Sequence, residues 1–358
     1  MPKKAKQKDE GKIVLNSSTK KDVEEVLEDI KHLEIGEELI PIENALQSLD
    51  PKSSGKSYRP VKTLLESAWN FFEALRLVRE KGDYLKAEKL FKLAEEGFEA
   101  VEAEDIKHLA YAFESYSMFV LNAQRGNLSQ CLELHKNMKM YLEKAGKFRN
   151  KYTAVIEICE PEFFYIASTK SLAELDFTNA KISSEKARQL SIDVANKYFE
   201  EGTPLYYKFL GAGHLYKAIY TFHRALNDLN LFEFRKLSGD SKLLLEAEKA
   251  EEMLEKADVE SFNTKILLLM SKALIQLFEV MKEISNSMQK VFNSTFKPNL
   301  QDLDKLRNKI STARDYYSEV GATAAPYVRF CEQLTSKVNN LERLVRPGKR
   351  ISVRFLEL

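Results

Sequence analysis

The stretch of sequence that decides the fold is GDYLKAEKLFKLA, residues 82–94. It follows residues 64–78, where apolar side chains recur at the three- and four-residue spacing of one buried helix face. Gly82 can end that helix, because glycine adopts the left-handed backbone conformation common at helix C-termini. Ala87 and Ala94 are small enough to let two helices cross closely. The stretch therefore predicts an antiparallel helical hairpin.

The same spacing recurs twice further along the chain, after Gly126 and at Asp176, where it follows a predicted helix from about Pro161 to Leu175. The residues that take the places of Ala87, Phe91 and Ala94 are Cys131, His135 and Met138, and then Ala180, Ser184 and Ala187. The pattern GDYxxAxxxFxxA resembles the turn and second helix of a tetratricopeptide repeat. Residues 64–100 carry the resemblance, and weaker echoes reach to about residue 200. It implies an all-α protein whose antiparallel hairpins stack as a right-handed solenoid.

In such solenoids the first helices of the hairpins line a concave face that binds extended peptides. The family's register places four residues of this chain on that face: Arg76, Arg79, Tyr116 and Gln124. Arginine can hold a carboxylate with two hydrogen bonds, and tyrosine offers an aromatic face with a hydroxyl group. We expect these residues to contact a protein or peptide partner; the alternative for each is ordinary exposed helix surface.

Composition also favours long helices, since only 13 glycines and 9 prolines occur in 358 residues. The predicted organisation is a disordered basic tail (1–16), an N-terminal helical cap (17–49), tetratricopeptide-like repeats (60–200), C-terminal helical hairpins (204–345) and a strand-like tail (346–358). In the last segment Ile351, Val353 and Phe355 alternate with polar residues. That tail pairs with this chain, pairs with a partner, or begins a further domain.

Charge and cysteine content narrow the functional class. The 55 basic and 54 acidic residues leave a net charge of +1, which disfavours a protein that coats nucleic acid. The three cysteines are far apart, so we expect free thiols in the cytoplasm. No apolar stretch approaches the roughly 20 residues of a membrane span. We therefore expect neither a membrane nor a disulfide framework.

The sequence contains no recognisable catalytic, metal-binding or cofactor-binding motif, so we expect a protein without such a site. His214 and His223 are nine residues apart, on opposite faces of a helix, so they cannot share a metal. The histidines are better explained as surface or packed side chains. Gly211-Ala212-Gly213 lacks the frame of a phosphate-binding loop and indicates close helix packing. No serine or cysteine lies in a nucleophile motif.

A basic cluster near the C-terminus is the second candidate contact surface. It consists of Arg343, Arg346, Lys349, Arg350 and Arg354. Two explanations of this cluster remain open. It is either a charged, solvated linker or a surface that contacts nucleic acid or an acidic protein.

The favoured function is a non-enzymatic scaffold or adaptor that binds a protein or peptide. One alternative is the regulatory or sensor arm of a larger protein, whose effector domain follows residue 358. A second alternative is an RNA-binding helical-repeat protein, which rests on the basic cluster.

Overall fold

The computed structural model describes residues 17–32, 38–50, 55–78, 82–227, 242–257, 262–292 and 300–345. Regular structure throughout these residues is helical, and none of them forms a strand. The α-helices are α1 (Ser17–His32), α2 (Leu39–Ser48), α3 (Tyr58–Arg76), α4 (Tyr84–Ala100), α5 (Glu104–Gln124), α6 (Leu128–Lys144), α7 (Arg149–Ala173), α8 (Phe177–Tyr198), α9 (Pro204–Asn227), α10 (Lys242–Glu255), α11 (Phe262–Phe292), α12 (Leu300–Val320) and α13 (Ala325–Val345). The all-α class is confirmed for this part of the chain, and both predicted tails lie outside it.

The chain divides into two compact units. Unit 1 comprises Met1–Asn122 and Gln130–Ala154, and unit 2 comprises Ala123–Ser129 and Val155–Leu358. The division falls inside the predicted repeat region, and α5, α6 and α7 each carry residues of both units.

The hairpin predicted from the deciding stretch forms in unit 1, where α3 packs against α4. Gly82 adopts a φ of 62° between the two helices, as its predicted role requires. The Asp83 carboxylate then caps α4 by accepting a hydrogen bond from the backbone N–H of Lys86 at 3.1 Å. The side chains expected between the helices are completely buried: Ala87, Phe91 and Ala94.

Aromatic rings and one glycine bring the helices of unit 1 together. The Phe71 ring lies 5.6 Å from that of Phe91 and 6.2 Å from that of Tyr152, measured between centroids. Gly97 of α4 faces Ser67 of α3, and a Cβ atom at Gly97 would lie 1.8 Å from the Ser67 hydroxyl oxygen. A residue larger than glycine would therefore force the Ser67 side chain to move.

Unit 2 is built from helices that pack on their neighbours in sequence, from α8 to α13. Two glycines allow α9 to approach helices on both sides. A Cβ atom would lie 2.8 Å from Leu254 of α10 at Gly211, and 2.9 Å from Ile192 of α8 at Gly213. This confirms that the Gly211-Ala212-Gly213 motif serves close helix packing.

The predicted start of one helix is wrong. We expected a helix from about Pro161, whereas α7 begins at Arg149 and carries Pro161 in its interior. Proline removes one helix hydrogen bond and costs about 3 kcal/mol or more. Tyr152, Ile156 and Ile166 lie on one face of α7 and are all buried. The packing of these side chains on both sides of Pro161 offsets the lost hydrogen bond. Local sequence patterns carry no information about this packing.

Candidate functional site

The guanidinium group of Arg76 is held by a carboxylate of its own helix. Its Nε and Nη2 atoms donate to the two carboxylate oxygens of Glu73 at 2.7 and 2.8 Å. Glu73 is nearly buried, whereas the Arg76 side chain is 36% exposed. A partner's carboxylate would therefore have to compete with Glu73 for this group. Arg79, the second predicted arginine, lies outside the described residues.

Tyr116, half-buried on α5, takes part in packing near the Gly82 turn. Its ring meets Tyr84 of α4 edge-on at 6.3 Å and stacks on Phe119, also at 6.3 Å. Gln124 is the last residue of α5, and its side chain lies outside the described part of the chain. The predicted groove therefore has two members with described side chains, Arg76 and Tyr116.

The basic cluster falls largely outside the described residues. Arg343 belongs to α13, but its side chain is not among the described ones. The other members lie beyond the described range: Arg346, Lys349, Arg350 and Arg354.

His223 is completely buried in unit 2 and joins four helices through hydrogen bonds. Its Nδ1 atom lies 3.2 Å from the Ser168 hydroxyl, and its Nε2 atom lies 3.2 Å from the Tyr327 hydroxyl. Ser168 donates its single hydrogen to the Ala180 carbonyl at 2.9 Å. Nδ1 therefore carries the imidazole hydrogen, and Nε2 accepts from Tyr327. The linked helices are α7, α8, α9 and α13.

Burial lowers the pKa of His223 to about 4, so this imidazole is neutral at pH 7. A serine beside a histidine can act as a nucleophile with its base. Ser168 is also completely buried, however, so a substrate would reach it only if the core opened. The Ser168–His223–Tyr327 chain is thus a structural network, and the interpretation of His223 as a packed side chain is confirmed.

A carboxyl pair in unit 1 was missed by the sequence reasoning. Glu95 of α4 is only 6% exposed, and its carboxyl group lies near that of Glu114 on α5. Two carboxyl groups held close together disfavour each other's ionisation. Desolvation by burial, followed by the charge of Glu114, raises the pKa of Glu95 far above its ordinary value. The pair therefore retains a proton at neutral pH.

One signal in the sequence could have located the pair. Glu95 lies four residues after Phe91 and three before Phe98, on the buried stripe of α4. An acidic residue on such a stripe needs a proton or a cation to neutralise it.

Two pairs of aromatic side chains lie at the surface of unit 2, near the turn between α8 and α9. This aromatic cluster consists of Phe199, Tyr206, Tyr207 and Phe209, which are all half-buried. Phe199 and Phe209 stack with ring centroids 5.3 Å apart and planes 10° apart. The rings of Tyr206 and Tyr207 lie 5.9 Å apart, and the ammonium group of Lys256 sits 5.7 Å from the Tyr207 ring.

The aromatic cluster was also absent from the predicted sites. Its signal in the sequence is a pair of aromatic runs, residues 198–199 and 206–209, on either side of the turn at Gly202. Helical periodicity does not identify such a cluster, because its members belong to α9 and to the connection that precedes it.

Within the described residues, no group of three or more His, Cys, Asp or Glu side chains is arranged to hold a metal ion. None of the described helices combines the length and apolarity that crossing a bilayer requires. None of the three cysteines, all of them among the described residues, forms a disulfide; Cys131 and Cys331 are buried, and Cys159 is half-buried.

Comparisons with known proteins leave the class of this chain broad. A scan against protein-family models gave no match, and searches of curated proteins and of solved structures gave none either. The described residues define an all-α protein of consecutively packed helices in two compact units.

Proposed function

We propose that this chain is a non-enzymatic scaffold or adaptor whose helical hairpins stack as a tetratricopeptide-like solenoid and whose surface binds a protein or peptide. The observation that carries the proposal is the aromatic cluster of unit 2. Aromatic side chains bury large areas on binding, and tyrosine is enriched at interface hot spots. Two pairs of half-buried aromatic rings near one turn are typical of a site that docks apolar side chains of a partner.

The predicted groove in unit 1 provides a second surface for the same function. There, an acidic or C-terminal segment of the partner would contact Arg76, Arg79, Tyr116 and Gln124. The Arg76 guanidinium already holds the Glu73 carboxylate with two hydrogen bonds, which the partner's carboxylate would have to replace. Free thiols at all three cysteines suit the cytoplasm, where we place this activity.

Site-specific photo-crosslinking in cells tests the proposal. A photoreactive phenylalanine analogue would replace Tyr207 in the aromatic cluster, or Tyr116 in the predicted groove. The matched control position is Tyr316, which is also a half-buried tyrosine. We expect position 207 to yield a defined crosslinked protein that position 316 does not yield. The same crosslink should disappear when Phe199→Ser and Phe209→Ser remove the stacked pair.

The outcomes separate the functional classes. A crosslinked RNA at position 207 would support the RNA-binding alternative instead. Crosslinks at 207 and 116 no stronger than at 316 would contradict both proposed surfaces. Thermal melting of each variant confirms that the substitutions leave the fold intact.

A further inference from the structure

Helix α1 runs along the N-terminal ends of three other helices in unit 1. Polar pairs join it to the residues directly ahead of α3 and to the turns ahead of α5 and α7: Asp22 with Ser57, Lys20 with Glu102 at 2.7 Å, and Glu28 with Lys147 at 2.6 Å. The ammonium group of Lys151 also donates to the carbonyl of Lys31 at 3.3 Å. This contact satisfies one of the carbonyl groups that the last turn of a helix leaves without an internal partner.

The inner face of α1 is a single apolar stripe. Val23, Leu27 and Ile30 follow one another at four- and three-residue spacing, and all three are buried. Lys21 and Glu24 on the outer face are exposed. Helix α1 thus binds unit 1 in the manner of an amphipathic helix laid into a groove.

We propose that the surface beneath α1 is a helix-docking site, which α1 fills within its own chain and which an amphipathic helix of a partner protein can fill in its place. We call this surface the α1 site and define its polar rim by Ser57, Glu102, Lys147 and Lys151. The proposal goes beyond the scaffold function, because the α1 site is separate from the aromatic cluster and its tests need no knowledge of the partner.

The contacts of α1 define the partner's chemistry. The incoming helix carries apolar side chains at positions i, i+4 and i+7, as α1 does with Val23, Leu27 and Ile30. It carries carboxylates at i−1 and i+5, in the places of Asp22 and Glu28. The second carboxylate faces Lys147, so an acidic residue there fits the rim and a basic one is repelled.

The way α1 is held allows exchange. One of its two ion pairs with the rim lies at the surface, where the side chains of Lys20 and Glu102 are both more than half exposed; in the other pair, Glu28 is 47% exposed and Lys147 is 25% exposed. Exposed pairs of this kind contribute little to stability. A helix of 16 residues is marginal on its own, so α1 depends on its apolar stripe to stay docked. Helix α1 therefore detaches more readily than the α3–α4 hairpin unfolds.

Hydrogen exchange of the unmodified full chain tests the detachment. We expect the amides of α1 to show protection about tenfold or more below those of α3, through an opening that leaves α3 folded. Glu28→Lys should accelerate exchange in α1 further, and Lys147→Glu added to it should reverse that change, because the pair is then restored with opposite charges. Equal protection in α1 and α3 would overturn the proposal, since α1 would then leave only when unit 1 unfolds.

A peptide competition tests docking directly. The probe is a fluorescently labelled peptide of residues 17–32, and the receptor is the full chain carrying Val23→Asp and Ile30→Asp, which unseats its own α1. We expect the peptide to bind this receptor about tenfold or more tightly than it binds the unmodified chain, whose site is filled.

The control probe is the same peptide with Val23→Asp and Ile30→Asp. A receptor that binds both peptides equally would overturn the proposal, because the apolar stripe would then play no part. If the doubly substituted receptor does not fold, the competition is run on the unmodified chain with Glu28→Lys, which weakens only the rim. Loss of crosslinking at the aromatic cluster would leave these results unaffected, so the two proposals fail independently.

Discussion

Leu175 occupies a backbone position that ordinarily suits glycine. It stands where Gly82 and Gly126 stand in the earlier hairpins, and its φ is 61°. The N–H groups of Leu175 and Asp176 donate to the carbonyls of Leu172 and Ser171 at 3.1 and 2.8 Å, which closes α7. The side chain is 72% exposed, so little packing compensates for the left-handed conformation.

We therefore predict that Leu175→Gly raises the free energy of unfolding by about 0.5–1 kcal/mol. The left-handed conformation costs a residue with a side chain about 1–2 kcal/mol, and glycine avoids this cost. Glycine is also more flexible in the unfolded chain, which cancels part of the stabilisation. Urea unfolding measures the change. Glu174→Gly is the matched control, because Glu174 is exposed but has no positive φ; it should be neutral or destabilising. Destabilisation by Leu175→Gly would mean that the leucine side chain makes a favourable contact.

At the scale of helices, the effect of Gly→Ala on stability depends on which atoms of the neighbouring helix lie close to the new methyl group. A Cβ atom at Gly211 would meet the Leu254 side chain at 2.8 Å and also the backbone nitrogen of Leu254 at 3.2 Å. A Cβ atom at Gly213 would meet only the Ile192 side chain so closely, at 2.9 Å; the nearest backbone atom there is 3.7 Å away. A side chain can rotate away, whereas the backbone of a packed helix cannot.

We predict that Gly211→Ala destabilises unit 2 by about 1–3 kcal/mol, because α9 and α10 must separate. Gly213→Ala should change stability by less than about 1 kcal/mol, since alanine's better helix propensity offsets the displacement of Ile192. Thermal melting of the two variants compares them directly. Equal effects would contradict the distinction between backbone and side-chain contacts.

Among the described residues, the pKa values of one buried group in each unit are shifted in opposite directions. His223 in unit 2 has a lowered pKa, whereas Glu95 in unit 1 has a raised one. The unfolded chain binds more protons than the folded chain at His223 below pH 6.5, and fewer at Glu95 above the ordinary carboxyl pKa. Protonation of His223 therefore weakens unit 2 in acid, and ionisation of Glu95 weakens unit 1 as the pH rises.

For His223 we predict that stability is full above the unfolded pKa of 6.5 and falls as pH decreases toward 4. The loss approaches about 3 kcal/mol, because each pKa unit corresponds to about 1.4 kcal/mol. Urea unfolding followed by circular dichroism at pH 7.5 and 4.5 measures it. His223→Gln cannot take up the proton, so the variant should lose this part of the pH dependence. A pH dependence unchanged by the substitution would exclude His223 as its source.

For Glu95 we predict the opposite response. Glu95→Gln keeps a neutral group of the same shape against Glu114, so it should stabilise unit 1 at pH 8 by about 1 kcal/mol and have little effect at pH 4.5. The single tryptophan, Trp69, lies in unit 1, and its fluorescence reports the unfolding of that unit. Equal effects at both pH values would indicate that Glu95 is ionised in the folded protein.

Local chemistry made several elements of this fold predictable. The glycine at position 82, the cap at Asp83 and the small residues that follow act within a few residues of one another, and the hairpin they predict is present. The same holds for α8, where Asp176 caps the helix and Ala180, Ser184 and Ala187 are completely buried. The start of α7 was mispredicted, because packing on both sides of Pro161 outweighs the local signal.

The sequence by itself determined the all-α class, the caps and turns of the hairpins, and the small residues at close helix crossings, since each depends on backbone preferences and spacing along one chain. Tertiary structure alone decided which side chains meet. The carboxyl pair of Glu95 and Glu114, the chain through His223, and the polar contacts of α1 with the ends of three helices join residues that are between 19 and 120 positions apart in sequence. Their pKa values and hydrogen bonds follow from burial and from neighbours brought together by folding, and no local pattern encodes those neighbours.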